Sequence, residues 1–460
     1  MVSFNLKYSE IEGLTRLDPE YYNPKYNDVV KKVRNLNSVK LSTILNIELG
    51  PAYSSKKIKK NGDIPISKIG DVTNKRDFSN WDFVDFNEFV KYGKRNIKQN
   101  EILMTLTGDP PDVGKVNMPF TDYENEKLTL AFNQRVAKLE TKGINPFYLF
   151  TILSTEYFRI RFEQCAFGIR QRNVSIPDLK SAFVYLAEPI EIEKIGKLTK
   201  EHFKLKSQSQ TLYKQAIDLL EQGLGMDGVN FEKPKSYTAN FSEVVSNFRN
   251  DADYYQTKYR QLDTHLKTKV TVALSSICNF LKGFEVGTSL YTLEGPVFIR
   301  VSNLTKDGFK FGNADKHISE TTHSSLKSFQ PIIGDILLTK DGTIGTCYVV
   351  DENLKGIISS GIMNLELTDN TIPKEYLALV INSKICQMQA ERECSGALIT
   401  HWKPEQIRRL RIPILMKENM QEISELVVKS KEARKQSQQL LADAKARVEQ
   451  LIEEAAKNNA

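Results

Sequence analysis

The sequence predicts an α+β protein: two tandem mixed α/β domains, related by a pseudo-twofold axis and separated by two long helices packed as an antiparallel coiled coil. Three observations predict it. Five pairs of similar segments recur in the same order at a spacing of roughly 230 residues. Within each copy, β-branched runs bounded by Gly, Asp and Asn alternate with segments of helical periodicity. Each copy then closes on a long stretch, Glu191 to Leu224 and Glu418 to Ala456, that has no Pro and almost no Gly.

The pairs run along the chain as follows. "DPEYYNPKY" (Asp18 to Tyr26) answers to "DADYYQTKY" (Asp251 to Tyr259), and "EILMTLTGD" (Glu101 to Asp109) to "DILLTKDGT" (Asp335 to Thr343). "INPFYLFTIL" (Ile144 to Leu153) answers to "IPKEYLALVI" (Ile372 to Ile381), and "FGIRQRNVSIPDL" (Phe167 to Leu179) to "SGALITHWKPEQI" (Ser395 to Ile407). The last pair is "QSQTLYKQAIDLLEQ" (Gln208 to Gln222) and "QSQQLLADAKARVEQ" (Gln436 to Gln450). A period this long is a duplicated domain rather than a solenoid repeat. The expected boundaries are 1–188 and 226–415 for the domains, with long helices at 189–225 and 416–457.

Within a copy, an early helix is expected over Pro19 to Leu36 and over Tyr254 to Leu266. Short strands follow in "DIPISKIGDVTNKRDF" and "PVFIRVSNLTKDGFKF", then a strand–turn–strand in "GDILLTKDGTIGTCYVV". A further helix is expected over Pro146 to Glu163 and over Lys374 to Glu393. In the closing stretches, three- and four-residue steps define a seam. In the second it holds Met420, Ile423, Val427, Ser430, Arg434, Ser437, Leu441, Ala444, Val448, Leu451 and Ala455. In the first it holds Ile192, Ile195, Thr199, His202, Lys206, Ser209, Tyr213, Ala216 and Leu220. Both seams are apolar at the ends and polar in the middle, so two copies would pair antiparallel. A helix of this length spans roughly 50 Å, or about 15 base pairs of duplex DNA.

Composition narrows the function classes. With 460 residues, 40% apolar and 26% charged, the chain has core material for two or three domains. A net charge of +7 is compatible with a polyanionic partner. The five cysteines form no CxxC pair and the five histidines stand at no zinc-ligand spacing, so reduced thiols and no metal site are expected. No apolar run reaches the roughly 18 residues of a membrane span, and "MVSFNLKYSEIEGL" carries no signal-peptide pattern. Cytoplasmic residence without membrane association is the expectation.

One tripeptide suggests chemistry. Asp109-Pro110-Pro111 matches three of the four residues of the loop with which amino-methyltransferases hold a flipped base, but Asp112 stands where an aromatic must stack. Its counterpart Lys340-Asp341-Gly342 has no Pro, while Gly345 is retained, so a turn between strands explains both copies. "GLGMDG" (Gly223 to Gly228) follows a helix and reads as its C-cap rather than a cofactor loop. No phosphate-binding GxxxxGK[ST] is present, and "IPDLK" (Ile176 to Lys180) is only a fragment of a nuclease motif. No catalytic residues are assigned.

With two variable domains, each followed by a long helix, the chain resembles the specificity subunit of type I restriction–modification enzymes. The resemblance rests on "GDILLTKDGTIGTCYVV" and "NEILMTLTGDPPDVGKV", on "IPDL" and "KPEQIRRLRIPIL", and on the Gln-Ser-Gln helices, and it extends over essentially the whole chain. It implies a prokaryotic, non-catalytic, DNA-binding subunit whose two target recognition domains each read one half of an interrupted site in double-stranded DNA. The helices would fix the spacer and dock two modification subunits, which carry S-adenosylmethionine and methylate adenine N6. Restriction motor-nuclease subunits would complete the complex, and no cofactor is expected on this chain.

Candidate DNA contacts follow from side-chain chemistry. Lys56, Lys57, Lys59 and Lys60 suit phosphates. Arg170, Gln171, Arg172 and Asn173 suit base edges, as do Thr400, His401, Trp402 and Lys403 at the corresponding place in the second copy. Packing is the competing role for Trp402. Arg300, Ser302 and Asn303, with Lys340 and Thr343, are further candidates, whereas Lys91, Lys94, Arg95 and Lys98 read as surface decoration. The helix-pair seam is assigned to Ile192, Ile195, Tyr213, Leu220, Ile423, Val427, Leu441, Val448 and Leu451. A coiled-coil scaffold whose domains bind protein is the alternative, and a methyltransferase a weaker one.

Overall fold

The computed structural model describes residues 19–73, 81–93, 95–109, 112–119, 129–168, 171–226, 229, 231, 234, 236–312, 314–394 and 400–459. The chain divides into two compact units, 1–208 with 433–460, and 209–432. The long helices run over Pro189–Leu224 and Lys417–Asn458, so each unit takes part of both.

The first unit is built on a four-stranded antiparallel sheet in the order Leu45–Leu49, Val136–Thr141, Ile102–Thr105, Val116–Asn117. A three-stranded sheet orders Asp82–Val84, Ile64–Ser67 and Ala131–Phe132, with the last pairing parallel. Ser38–Lys40 pairs with Phe183–Tyr185 and ties the start of the unit to its end. The second unit repeats this topology. Its four strands are Cys278–Lys282, Ile362–Leu367, Ile336–Thr339 and Cys347–Val349. Its three-stranded sheet is Lys316–Ile318, Tyr291–Ile299 and Gly356–Ile358, again with one parallel pairing, and Thr271–Ala273 closes on Arg411–Pro413.

The central strands Ile102–Thr105 and Ile336–Thr339 are buried throughout. Such unbroken apolar runs are covered on both faces, which is why they lack the alternation of a half-solvated strand. Helices Pro146–Leu153 and Lys374–Asn382 supply part of that cover, together with buried Tyr148 and Tyr376, whose hydroxyls donate to the carbonyls of Tyr185 and Pro413 at 2.8 Å.

Two expected helices are broken in each copy. Pro19–Tyr22 is a 3₁₀ turn, and the α-helix starts at Pro24 behind an Asn23 cap; Ala252–Tyr255 and Thr257–Lys267 show the same division. The helix expected from Pro146 to Glu163 stops at Leu153 and restarts at Glu156, and its counterpart breaks at Ser383. Hydroxyls cause it: Ser154, Thr155 and Ser383 bond back to carbonyls three or four residues earlier, while Thr155 and Ser383 turn extended.

Each unit buries its own stretch of the long helices. In the first, Glu191 pairs with Arg447 and His202 meets Ser437, so residues 189–208 and 433–458 run antiparallel. Ile195, Phe203, Ala444, Val448 and Ile452 join that unit's core, with Ile192, Leu441 and Leu451 packed against it. In the second, Ser209 meets Ser430 and Gly223 lies against Leu415, and the sense is the same. Leu220, Ile423 and Val427 are in its core and Tyr213 packs against it. The first long helix ends in a Schellman motif: Gly225 takes φ +63°, its N–H donates to Gln222, and Met226 N–H donates to Glu221.

Candidate nucleic-acid interface

The turn after each central strand is built alike. Thr105 N–H bonds the Lys115 carbonyl (3.0 Å), Gly114 N–H bonds the Thr105 carbonyl (2.8 Å), and Lys115 N–H bonds Thr105 Oγ1 (3.1 Å). Thr339, Gly345 and Thr346 repeat all three bonds at 2.9 Å. The glycines sit at φ +79° and +77°, where a side chain is strained. Pro110 and Pro111 lie outside the described residues. Asp112 is buried beside Lys115, so it is a turn residue and not a base platform.

Each turn is joined by the segment that precedes the short helix Ile176–Ser181 or Pro404–Arg408. In the first unit Arg172–Asn173 pairs antiparallel with Thr107–Gly108, and Val174 N–H donates to the Leu106 carbonyl at 2.9 Å. In the second, Asp341 and His401 form an antiparallel bridge, and Trp402 N–H donates to the Lys340 carbonyl at 2.8 Å. Thr107 therefore corresponds to Asp341, and Asn173 to His401, so Leu106-Thr107-Gly108, and not Asp109-Pro110-Pro111 as the sequence suggests, is the counterpart of Lys340-Asp341-Gly342. The backbone is shared and the side chains are not. Thr107 Oγ1 donates to Asn173 Oδ1 (2.6 Å), whereas Asp341 Oδ1 lies 2.8 Å from His401 Nδ1 and Asp341 Oδ2 lies 2.6 Å from Lys340 Nζ. Burial pushes the Asp341 carboxyl up, but the bonds from Lys340 and His401 outweigh it and hold it below the usual carboxylate range.

The structure thus brings together, within each unit, two segments that are more than sixty residues apart in sequence for Thr107 and Asn173 and sixty apart for Asp341 and His401. Gln171, Thr343, His401 and Lys403 are exposed, as is Ser302, while Arg172, Arg300 and Thr400 are half-buried. Arg170 lies outside the described residues.

Three candidates are corrected. Trp402 is 2% exposed in the second unit's core, so its indole packs and offers no surface to a base. Asn303 is 2% exposed; its Oδ1 accepts from Arg300 N–H and its Nδ2 donates to Lys310 and Asp315, which makes it a cap for the turn Val301–Asn303. Lys340 is 8% exposed and committed to Asp341, so it positions the carboxylate and offers little to solvent. Arg300 donates to the Ala314 carbonyl at 3.0 Å.

The lysine loop is also more engaged than its sequence suggests. Lys57, Lys59 and Lys60 face Glu88, Asp85 and Asp82 at 3.6, 2.8 and 3.1 Å, while Lys56 is exposed. Lys59–Asp85 is exposed on both sides, and such a pair is worth at most about 1 kcal/mol, so a phosphate could replace that carboxylate; Glu88 and Asp82, which face Lys57 and Lys60, are largely buried. Asp341 and Thr107 are the site residues that composition alone passes over; the repeat, which sets one opposite the other, is the signal that finds them.

Among the described residues no group of three or more His, Cys, Asp or Glu side chains comes within metal-binding range. Nor is any described helix long and apolar enough to cross a membrane.

The α+β fold is thus duplicated, and each copy presents one turn joined to one pre-helix segment. Residues 34–207 match the family model of the type I restriction modification DNA specificity domain. The chain is also similar to the S subunit of a type I restriction-modification system from M. genitalium, at 13% identity over 92% of this chain and 96% of that one, TM-score 0.44. The HsdS subunit from Thermoanaerobacter tengcongensis is similar at 12% identity over 92% and 97%, TM-score 0.26. No curated protein sequence matches the chain.

Proposed function

We propose that the chain is the DNA-reading subunit of a type I restriction–modification complex, with each unit reading one half of a bipartite, interrupted site. One observation carries the reading: the two units build the same join between turn and pre-helix segment but fill it with Thr107 and Asn173 in one and Asp341 and His401 in the other. An amide and an imidazole held in fixed orientation distinguish base edges differently. Equivalent frames with unlike chemistry are what two unlike half-sites require. The long helices act as a coiled-coil spacer and dock methyltransferase subunits, which bring S-adenosylmethionine; motor-nuclease subunits join through them. The exposed lysines Lys56, Lys57, Lys59 and Lys60 position the phosphate backbone and carry no sequence information.

Selection from a random duplex library by the purified chain with its modification subunits tests this. The expected result is a two-part motif with a fixed gap, bound with a steep salt dependence. Asn173→Ala should relax one part and His401→Ala the other. A single uninterrupted motif, or binding indifferent to salt, would overturn the proposal.

A further inference from the structure

The first unit contains a cavity of about 400 Å³ between helices Pro24–Arg34 and Glu156–Cys165 and the paired strands Ser38–Lys40 and Phe183–Tyr185. None of the turn residues just described is in its described lining. Its described lining includes Lys31, Arg34, Lys40 and Arg161 and no Asp or Glu. Aromatic rings stand among the cations: the Arg34 guanidinium and Lys40 Nζ lie 5.5 and 5.8 Å from the centre of the Phe183 ring. Arg161 lies 5.8 Å from that of Tyr21. Val30, Val33 and Tyr157 add apolar wall.

The duplication supplies an internal control. The two entry helices have eleven residues each, and the seventh is Val30 in the first unit and Asp263 in the second. Asp263 joins two arginines there, Arg392 at 2.6 Å and Arg411. Those arginines occupy the places of Gln164 and Phe183, the ninth residue of the matching helix and the first of the matching strand. In the second unit this carboxylate thus neutralises Arg392 and Arg411. The first has exchanged the carboxylate for Val30 and an arginine for a phenyl ring, while setting Lys40 where the second has Ala273.

A cationic rim over an aromatic and aliphatic interior suits a ligand with a phosphate at one end and a planar ring at the other. Guanidinium and ammonium groups bind phosphate by charge-assisted hydrogen bonds, and aromatic side chains stack on bases. The volume falls within the roughly 300 to 1,000 Å³ of small-molecule sites. We propose that this cavity binds a free nucleoside monophosphate, with its phosphate at Arg34 and Lys40 and its base against Val30 and Tyr157.

Isothermal titration of the full chain with AMP, adenosine and inorganic phosphate tests the assignment. AMP should bind one per chain, with adenosine and phosphate each at least about tenfold weaker, since either alone loses one half of the contacts. Val30→Asp, which installs the carboxylate of the second unit, should weaken AMP about tenfold or more, and so should Lys40→Gln at an exposed position that leaves the fold intact. Excess duplex DNA should leave AMP binding unchanged. The proposal is overturned by no AMP binding at millimolar concentration, by phosphate binding as well as AMP does, by AMP binding insensitive to both substitutions, or by displacement with duplex.

Discussion

Lowering the pH should loosen the first unit's hold on the long helices, and His202 is the reason. Its ring is 7% exposed, with Nδ1 2.7 Å from the Ser437 carbonyl, so the neutral ring donates there; Ser437 Oγ donates in turn to the His202 carbonyl at 2.9 Å. Burial, with Lys206 adding repulsion, outweighs the Ser437 bond and holds the imidazole down at about 4, from an ordinary 6.5. The unfolded chain therefore binds a proton at His202 that the folded chain refuses between pH 6.5 and 4. Stability contributed by this site is intact above pH 6.5 and falls as pH drops through that window. At about 1.4 kcal/mol per unit, the loss is about 2 kcal/mol by pH 5 and about 3 kcal/mol when complete.

Urea unfolding measures it, with Trp81 as the reporter of this unit once the only other tryptophan is removed by Trp402→Phe. In that background His202→Gln, which keeps a donor for Ser437, should cost about 1 kcal/mol at pH 7.5 and become the more stable of the two by about 1 kcal/mol at pH 5. Parallel pH profiles for the two proteins would refute the reasoning.

Other consequences are as definite. Gly114 and Gly345 share the same φ, so alanine costs each about 1 kcal/mol in conformation. Its added Cβ would meet the buried Phe162 ring at 2.5 Å at Gly114, but only the flexible end of Gln387 at Gly345. Gly114→Ala should then be worse by about 1 to 3 kcal/mol in chemical denaturation. Ser209 and Ser430 each donate to the other's carbonyl at 2.7 Å in a buried site. Alanine at either should cost about 1 kcal/mol, and a double-mutant cycle should show clear non-additivity because both use one junction.

Much of the fold was legible because the chain states it twice. Paired motifs locate both units, and the absence of Pro marks both long helices. Where one copy misleads, the other corrects it, as Gly345 without Pro does for Asp109-Pro110-Pro111. The site was legible only as two segments. That Asn173 lands on Thr107 and His401 on Asp341 depends on a register set by hydrogen bonds between distant strands, and periodicity carries no trace of it. Trp402 and Asn303 show the same limit from the other side. Both have base-reading chemistry, and both are consumed by packing or capping that only the closed fold reveals. The helix breaks at Thr155 and Ser383 are decided by hydroxyls competing for backbone carbonyls, a local effect that an apolar pattern overrides on paper but not in the structure.

Methylome sequencing of cells that express this chain with candidate type I modification subunits bears most directly on the proposal that two equivalent frames with unlike side chains read two half-sites. The account predicts methylated adenines in an interrupted two-part sequence, with Asp341→Ala or His401→Ala altering one part and leaving the other part and the gap unchanged. Methylation at an uninterrupted sequence, or the loss of both parts together from His401→Ala in a folded protein, would contradict it.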